Sequence, residues 1–540
     1  MKSKTSRYGR FIATGIFFLA VFLFWFLGYP QWLNYHEQNQ LFLFTADYFL
    51  ADVSVPGGVA DYAGEFVTQF FCLRWAGALW LVVLFALLQW LTWKLLSWYD
   101  DFAYLISFIP SLLLLWHLGD INVLMSYFMA LIFVVLTTSL MKNKSPLSDF
   151  IVIPLLYWAA GPLAWVYVLV RCLTCGYKHL WTMLYLPGIQ GAAYLLFLSQ
   201  WPFQMVMTGL NYYRIPLQLP MLQVIIPISV TGIVAWSLLT KKRSLNNKPV
   251  LVVQLLTVIL LAVGAATKGF DADIYELLWQ DEMVRKAQWN KIIERAEKHQ
   301  LKTAFSSQCV NLSLAMTGQL PYRMFTFHQS GPDALLMPMV RDNTSNLPTA
   351  EAFYQLGMVN SALRYMFDMQ QSILNFKKSG RFTKRIAECY IINGNYEAAD
   401  KHLELLRHTF FYRAWAKRAS ACLYDDKRVE AHRVWGRLRQ WRYTEQFLYN
   451  YEEKDKMLGL LFLNNKENKM ALAYFMGQML LDGNIQGFMD YMPWVKQYGG
   501  HIGMPAGYTD AVECIKAQGN LPGSPYAGYV RSMMKTHERK

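Results

Sequence analysis

The feature that most constrains this chain is a series of long apolar segments in its first half. Segments 11–28, 75–93 and 249–266 contain no charged residue and approach the ~20 residues that a helix needs to cross a bilayer. A helix suits these segments because it satisfies its own backbone hydrogen bonds in lipid. Only 16% of all residues are charged, against ~25% in soluble domains. The sequence therefore predicts an all-α, polytopic membrane protein.

The character of the sequence changes near residue 268. We predict a transmembrane domain over 1–268, followed by a helical domain over 269–540 in which charge and helical periodicity dominate. The net charge of +14 fits cationic loops that face anionic lipid and fix the topology. No nucleic-acid-binding motif accompanies this charge, so we expect membrane lipid and not nucleic acid as a partner.

The distribution of basic residues predicts the topology. Lys2, Lys4, Arg7 and Arg10 precede the first apolar segment without any acid, which places the N-terminus in the cytoplasm. About seven spans are expected, over 11–28, 75–93, 102–116, 121–141, 182–200, 221–240 and 249–266. The domain 269–540 is then extracytoplasmic, which means periplasmic for the inner membrane of a Gram-negative cell.

Segment 150–175 is also apolar but contains Gly161 and Pro162 at its middle. Proline interrupts a helix, and two limbs of about 12 residues reach only ~18 Å each. This pattern favours a hairpin that enters the membrane from the cytoplasmic side. A single span in its place would move Lys241, Lys242 and Arg243 to the outer side, against the positive-inside rule.

Two outer loops carry the candidate functional residues. The first, over 29–73, is rich in aromatic residues and contains five acids, Glu37, Asp47, Asp52, Asp61 and Glu65. We interpret it as short amphipathic helices that hold carboxylates just above the lipid headgroups. The second, over 201–220, has Arg214 as its only charge, beside Tyr212 and Tyr213. The short turn 117–120 should lie on the same face.

These residues suit the transfer of a sugar from a lipid phosphate. A carboxylate can act as general base on an incoming hydroxyl, and an arginine can hold a phosphate leaving group. The candidate substrate-binding residues are Arg214, His117, Asp120, Tyr213 and His36. The alternative is structural: solvated acids and an arginine that anchors the interface. Cys172 and Cys175 form a CxxC within an apolar segment, which favours packing, and we expect no cofactor and no metal.

The second domain contains an internal repeat. Phe353, Gly357 and Ala362 fall on Tyr390, Gly394 and Ala399 at a fixed offset, in the aromatic, glycine and alanine pattern of tetratricopeptide repeats. Predicted amphipathic helices over 276–299 and over 303–317, the latter closed by Gly318, fit the same α-solenoid. Such a domain binds a peptide or glycan acceptor in a groove, or merely covers the membrane domain.

The first half resembles the membrane-embedded C-type glycosyltransferase (GT-C) fold, through the segment Tyr35-His36-Glu37 after the first span and the hairpin broken at Gly161-Pro162. This resemblance implies a catalytic acid early in the first outer loop, which is Glu37 here, with Asp47 second. The chain also resembles an uncharacterised family of Bacteroidota membrane proteins, through YHEQNQLFLFTADYF, VPGGVADYAGEF and NLSLAMTGQLPYRMF. We expect either a transferase with a polyprenyl-phosphate-linked donor or a non-catalytic scaffold for an envelope complex.

Overall fold

The computed structural model describes residues 4–96, 104–142, 144–215, 217–240, 248–373, 377–444, 451–500 and 503–537. The protein is 76% helical, and within these ranges it has no strand, only an isolated bridge between Val123 and Tyr213. The all-α prediction is confirmed. The chain forms two compact units, Met1–Tyr275 and Glu276–Lys540.

The first unit contains short helices between longer apolar ones. They are α1 (Lys4–Leu23), α2 (Pro30–Gln38), α3 (Ala46–Val53), α4 (Gly58–Thr68), α5 (Arg74–Leu96), α6 (Ile109–Leu118), α7 (Met125–Leu140), α8 (Asp149–Ala160), α9 (Ala164–Cys175), α10 (Thr182–Ala193), α11 (Phe203–Thr208), α12 (Met221–Thr240), α13 (Lys248–Lys268) and α14 (Ala272–Arg285), whose end belongs to the second unit.

Five helical segments are long and apolar enough to cross a membrane: Tyr8–Gly28, Arg74–Leu96, Pro146–His179, Met221–Leu239 and Pro249–Lys268. Three further apolar helices are shorter, at Ile106–Leu118, Met125–Leu140 and Thr182–Leu198. They coincide with spans predicted from the sequence but fall below the ~20 residues that a perpendicular crossing requires. The predicted number of about seven spans therefore stays a prediction.

The segment Pro146–His179 is not one straight helix. Helix α8 ends at Ala160, Gly161 adopts φ +59°, and α9 begins after a short 3₁₀ turn. Asp149 then meets residues of the far limb, since its Oδ1 lies 3.2 Å from Arg171 Nη2 and its Oδ2 lies 2.6 Å from His179 Nδ1. In a straight helix, residues 149 and 171 would be ~33 Å apart. The segment is thus a hairpin broken where Gly161-Pro162 predicted.

The first loop is packed into the helical unit. Helix α4 lies so close to α7 that a Cβ on Gly64 would approach Ser126 N to 2.7 Å. The backbone N–H of Gly57 donates to Trp158 O at 2.8 Å, and the indole N–H of Trp158 donates to Val53 O at 2.8 Å. The short helices predicted for this loop are present. Four of its five acids, Glu37, Asp52, Asp61 and Glu65, are buried, which contradicts the alternative in which the acids are solvated.

The second unit continues with α15 (Trp289–Lys298), α16 (Ala304–Met316), α17 (Leu320–Arg323), α18 (Leu347–Leu356), α19 (Val359–Gln371), α20 (Gly380–Asn393), α21 (Tyr396–Arg407), α22 (Arg413–Ser420), α23 (Asp426–Ala431), α24 (Arg433–Trp441), α25 (Lys454–Asn464), α26 (Lys469–Asp482), α27 (Ile485–Asp490), α28 (Met492–Tyr498), α29 (Ala506–Lys516) and α30 (Pro525–His537). The single helix predicted over 276–299 is wrong, because the chain breaks after Arg285 and Ala287 takes a left-handed conformation.

The repeat positions have equivalent roles in the structure. Gly357 ends α18 at φ +86° and Gly394 ends α20 at φ +80°, a conformation that glycine adopts without the Cβ penalty. Ala362 and Ala399 on the following helices are fully buried. Helices α18 to α22 pack in chain order, but α24 also packs on α18 and α20, and α26 packs on α16. Packing is therefore not confined to neighbours in sequence.

Candidate functional site

Helix α2 forms the core of the candidate site. It begins with Pro30. Proline suits the first helical position, because the N–H of a residue there has no acceptor within the helix and proline therefore loses no hydrogen bond. Trp32 and His36 lie one turn apart, with ring centroids 4.0 Å from each other, and the tilted ring of Trp25 lies 4.4 Å from that of Trp32. All three rings are fully buried. Among the described residues, neither His36 nitrogen and neither indole N–H has a hydrogen-bond partner.

A short bridge brings Arg214 to this helix. The backbone N–H of Arg214 donates to Asn122 O at 2.7 Å, next to the bridge between Val123 and Tyr213. Its guanidinium carbon lies 4.9 Å from the centre of the Tyr35 ring. Burial, and then the nearby charge of Arg214, lowers the pKa of His36 well below its ordinary value, so the imidazole is neutral. Arg214 Nη1 is shielded from solvent and finds no partner in the described part of the chain.

Asp120 and Tyr213 extend this cluster. The Tyr213 hydroxyl donates to Asp120 Oδ2 at 2.6 Å, and the backbone N–H of Asn122 donates to Oδ1 at 2.9 Å. Burial, followed by the hydrogen bond to Asp120, raises the pKa of Tyr213, which keeps its hydroxyl protonated. His117 is 2% exposed at the end of α6. Because the backbone N–H of Asp120 donates to His117 O at 3.1 Å, the structure brings all five candidate substrate-binding residues into one cluster.

The two candidate bases differ in their positions. Glu37 follows His36 on α2 and is 3% exposed, so it does not face the open cleft that its assignment as a base suggests. Asp47 is exposed in the first turn of α3, whose cap is the Thr45 hydroxyl accepting from Tyr48 N. No contact described within residues 4–96, 104–142 or 144–215 joins Asp47 to the cluster. Of the two acids, only Glu37 is therefore on the same helix as a residue of the cluster.

Comparison with known proteins assigns the chain to a family. The family model described as "Family of unknown function (DUF6057)" matches residues 6–534. The chain belongs to this family. No curated protein and no solved structure matches it.

Two polar contacts of this DUF6057 chain were not predicted from the sequence. Asn211 Nδ2 donates to Asp61 Oδ2 at 2.6 Å and so joins α4 to the segment 201–220. The Tyr48 hydroxyl donates to Glu65 within the first loop. Neither contact has a sequence signal, because the partners Asn211 and Tyr48 are uncharged and, in the case of Asn211, distant in sequence.

A buried ionic network closes the hairpin of the DUF6057 chain. Asp149 and Arg171 are 0% and 1% exposed. Arg171 also donates to the carbonyl oxygens of Met141 at 2.7 Å and Lys144 at 3.0 Å. This pair could have been found from the sequence. Asp149 and Arg171 are equally far from Ala160 in sequence, so a hairpin that turns there brings the two opposite charges together. Because both carbonyl contacts hold the loop after α7, the network has a structural role.

An apolar groove of about 380 Å³ lies between α4, α7 and α8. Its lining is Val59, Phe133, Leu136, Thr137, Val152, Leu155, Leu156 and Ala159. Within the described ranges, no three His, Cys, Asp or Glu side chains are grouped closely enough to hold a metal ion. Besides the carboxyl groups of Glu37 and Asp120, the cluster offers the guanidinium of Arg214, the imidazoles of His36 and His117 and the phenol of Tyr213.

Proposed function

We propose that this chain is a GT-C-like membrane glycosyltransferase or oligosaccharyltransferase that uses a polyprenyl-phosphate-linked donor. The observation that supports this best is that, among the described residues, Arg214 Nη1 and both nitrogens of His36, which precedes Glu37 on α2, have no hydrogen-bond partner. A buried donor without a partner costs ~1–3 kcal/mol. A phosphate group would accept hydrogen bonds from Arg214 and from the protonated nitrogen of His36, and charge-assisted contacts to phosphate are among the strong ones.

In this proposal each residue has a distinct role. Glu37 takes the proton from the acceptor hydroxyl as that oxygen attacks the anomeric carbon of the donor sugar. The bond from that carbon to the phosphate oxygen breaks, and Arg214 stabilises the departing lipid phosphate. His36 stays neutral and donates a hydrogen bond. Because Glu37 is buried, α2 has to move before an acceptor can reach the carboxylate.

The proposal includes an orientation in the inner membrane. The N-terminus is cytoplasmic, and both the loop 29–73 and the domain 269–540 are periplasmic. The second domain is then a tetratricopeptide-like solenoid that binds a protein or glycan acceptor. The equivalent left-handed glycines Gly357 and Gly394 and the buried Ala399 support this arrangement of repeats.

Glycan profiling by mass spectrometry tests the transferase. A deletion strain is complemented with wild type, Glu37→Gln, Arg214→Ala or Asp47→Asn, and its envelope glycans are compared. Glu37→Gln keeps the shape of the side chain but removes the base, so we expect transfer to fall by ~10²–10⁴-fold. Asp47→Asn is the matched control and should restore the glycan fully. Equal protein levels in the membrane must accompany the comparison.

The second candidate function is a non-catalytic scaffold for an envelope complex. It is favoured by the 3% exposure of Glu37, since a buried carboxylate in a packed helix is commonly structural. A scaffold predicts that Glu37→Gln and Asp47→Asn both restore every phenotype of the deletion strain. That result would refute the transferase.

A further inference from the structure

The segment 409–424 of the second unit is strongly cationic. It contains Arg413, Lys417 and Arg418 and no acidic residue. These three side chains are exposed on α22, whereas Ala416 and Ala419 on its other side are buried. At 100° per residue, the three cations share one face of the helix. We call this surface the basic face.

Exposed aromatic residues lie at both ends of the segment. Phe410 is 63% exposed before α22, and Tyr424 is 73% exposed after it. Lys384 adds a further cation, because its Nζ lies 4.8 Å from the centre of the Trp415 ring on the same helix. Cations next to exposed aromatic side chains are typical of helices that lie in the interface of a bilayer.

Within the described residues, no acid of the unit neutralises the basic face. None of its three cations forms an ion pair with another described residue. Some other exposed cations of the unit are paired, as in Arg295–Glu276, Lys401–Glu397 and Lys456–Glu453. The acids that follow the segment are also occupied, since Asp425 pairs with Arg428 and Asp426 with Arg439. The charge of the basic face is therefore available to an anionic partner.

We propose that the basic face binds the surface of a bilayer that contains anionic phospholipids. Charge complementarity supports an anionic partner, and the flanking Phe410 and Tyr424 fit the boundary between headgroups and acyl chains. The apolar helix segment Pro249–Lys268, which suits a membrane by length and composition, precedes the unit that begins at Glu276. An acidic macromolecule in solution would engage the cations without needing the aromatic side chains. This inference does not depend on the transferase.

Vesicle flotation tests the inference with the full chain held in phosphatidylcholine nanodiscs. Vesicles contain either phosphatidylcholine alone or phosphatidylcholine with phosphatidylglycerol. We expect the wild type to bind only the anionic vesicles, and less so at raised salt. Each basic residue near an anionic surface contributes about fivefold to binding, so the triple variant Arg413→Gln, Lys417→Gln, Arg418→Gln should bind on the order of 100-fold more weakly.

Two controls distinguish binding of a lipid surface from a general effect of charge and from binding of a soluble polyanion. The triple variant Arg295→Gln, Lys401→Gln, Lys456→Gln removes the same charge from paired positions and should bind like the wild type. The double variant Phe410→Ser, Tyr424→Ser should lose vesicle binding while it keeps binding to heparin, a soluble polyanion. Unchanged vesicle binding in the basic-face variant, or equal losses in the matched control, would overturn the proposal. So would unchanged vesicle binding in the aromatic variant, which would point to an acidic macromolecule as the partner.

Discussion

Burial divides the acids of the first loop at the scale of single residues. Glu37, Asp61 and Glu65 are at most 3% exposed, whereas Asp47 is exposed on α3. A carboxylate loses hydration energy on burial and is retained only where polar or charged groups compensate for the loss. Glu37 thus depends on its surroundings in a way that Asp47 does not. For this reason Glu37→Gln is the test variant and Asp47→Asn the control variant in the comparison of envelope glycans.

His402 provides a pH-dependent prediction in the second unit. Its ring stacks on Tyr390 at 5.7 Å, and burial, followed by the charge of Lys378, lowers its pKa to about 4. The unfolded chain has the ordinary pKa of ~6.5 and binds the proton first. The native state therefore loses stability as pH falls below ~6.5, and the loss grows until pH reaches about 4.

Hydrogen exchange of the α21 peptides in the full chain measures this effect. After correction for intrinsic exchange, we expect faster exchange at pH 5 than at pH 7.5. The variant His402→Gln cannot titrate and should show a smaller difference between the two conditions. Equal pH dependence in both proteins would mean that His402 is protonated in the native state at pH 5.

The residue scale also shows what the sequence could predict of the site. The positions of His36, Asp120 and Arg214 near the ends of apolar segments followed from charge and hydropathy. The approach of Arg214 to Asp120 did not, because it involves the bridge between Val123 and Tyr213, whose partners are far apart in sequence. The contact between Trp25 and Trp32 was not predictable either. It depends on the angle between two helical segments, which the spacing of apolar residues does not give.

At the scale of elements, helix ends could be predicted from the sequence where glycine or proline marks them. The break after Ala160 was predicted from Gly161-Pro162, and the turns at Gly357 and Gly394 from the repeat pattern; in the structure each of these glycines takes a positive φ. The break between α14 and α15 was not, since Ala287 takes the same left-handed region with φ +52°, and alanine ordinarily favours a continuous helix. Tertiary packing here outweighs the local preference.

Helix α4 offers a test of how tightly the first loop is held. A Cβ on Gly64 would lie 2.7 Å from Ser126 N and 2.9 Å from Met125 C, which are backbone atoms that cannot move aside. Gly64→Ala should therefore push α4 from α7 and destabilise the unit by ~1–3 kcal/mol. Thermal unfolding of the full chain in detergent measures the change.

A second helical glycine is the control for this substitution. Gly232 lies in α12, and a Cβ there would meet nothing within 4 Å. Gly232→Ala should be neutral or slightly stabilising, because alanine has the higher helix propensity. If Gly64→Ala is equally harmless, α4 does not approach α7 as closely as the structure indicates.

At the scale of the whole molecule, composition alone separates the apolar unit from the charged one. Five segments suit a membrane by length and composition, but the folded-back hairpin at Pro146–His179 shows that length does not establish a crossing. A crossing needs ~30 Å of helix, whereas each limb of the hairpin spans ~18 Å. The number of crossings between the N-terminus and the second unit therefore decides on which side each loop lies.

Labelling with an impermeant thiol reagent determines this topology. In a background without the seven native cysteines, single cysteines are placed at Gln204, Ser244 and Arg341. Gln204 and Arg341 are exposed, and Ser244 lies outside the described residues. We expect positions 204 and 341 to be labelled in intact spheroplasts, whereas position 244 should be labelled only after lysis, because the cluster Lys241, Lys242 and Arg243 favours the cytoplasm. Labelling of position 244 in intact spheroplasts would make the hairpin a crossing and would move Arg214 away from the outer face.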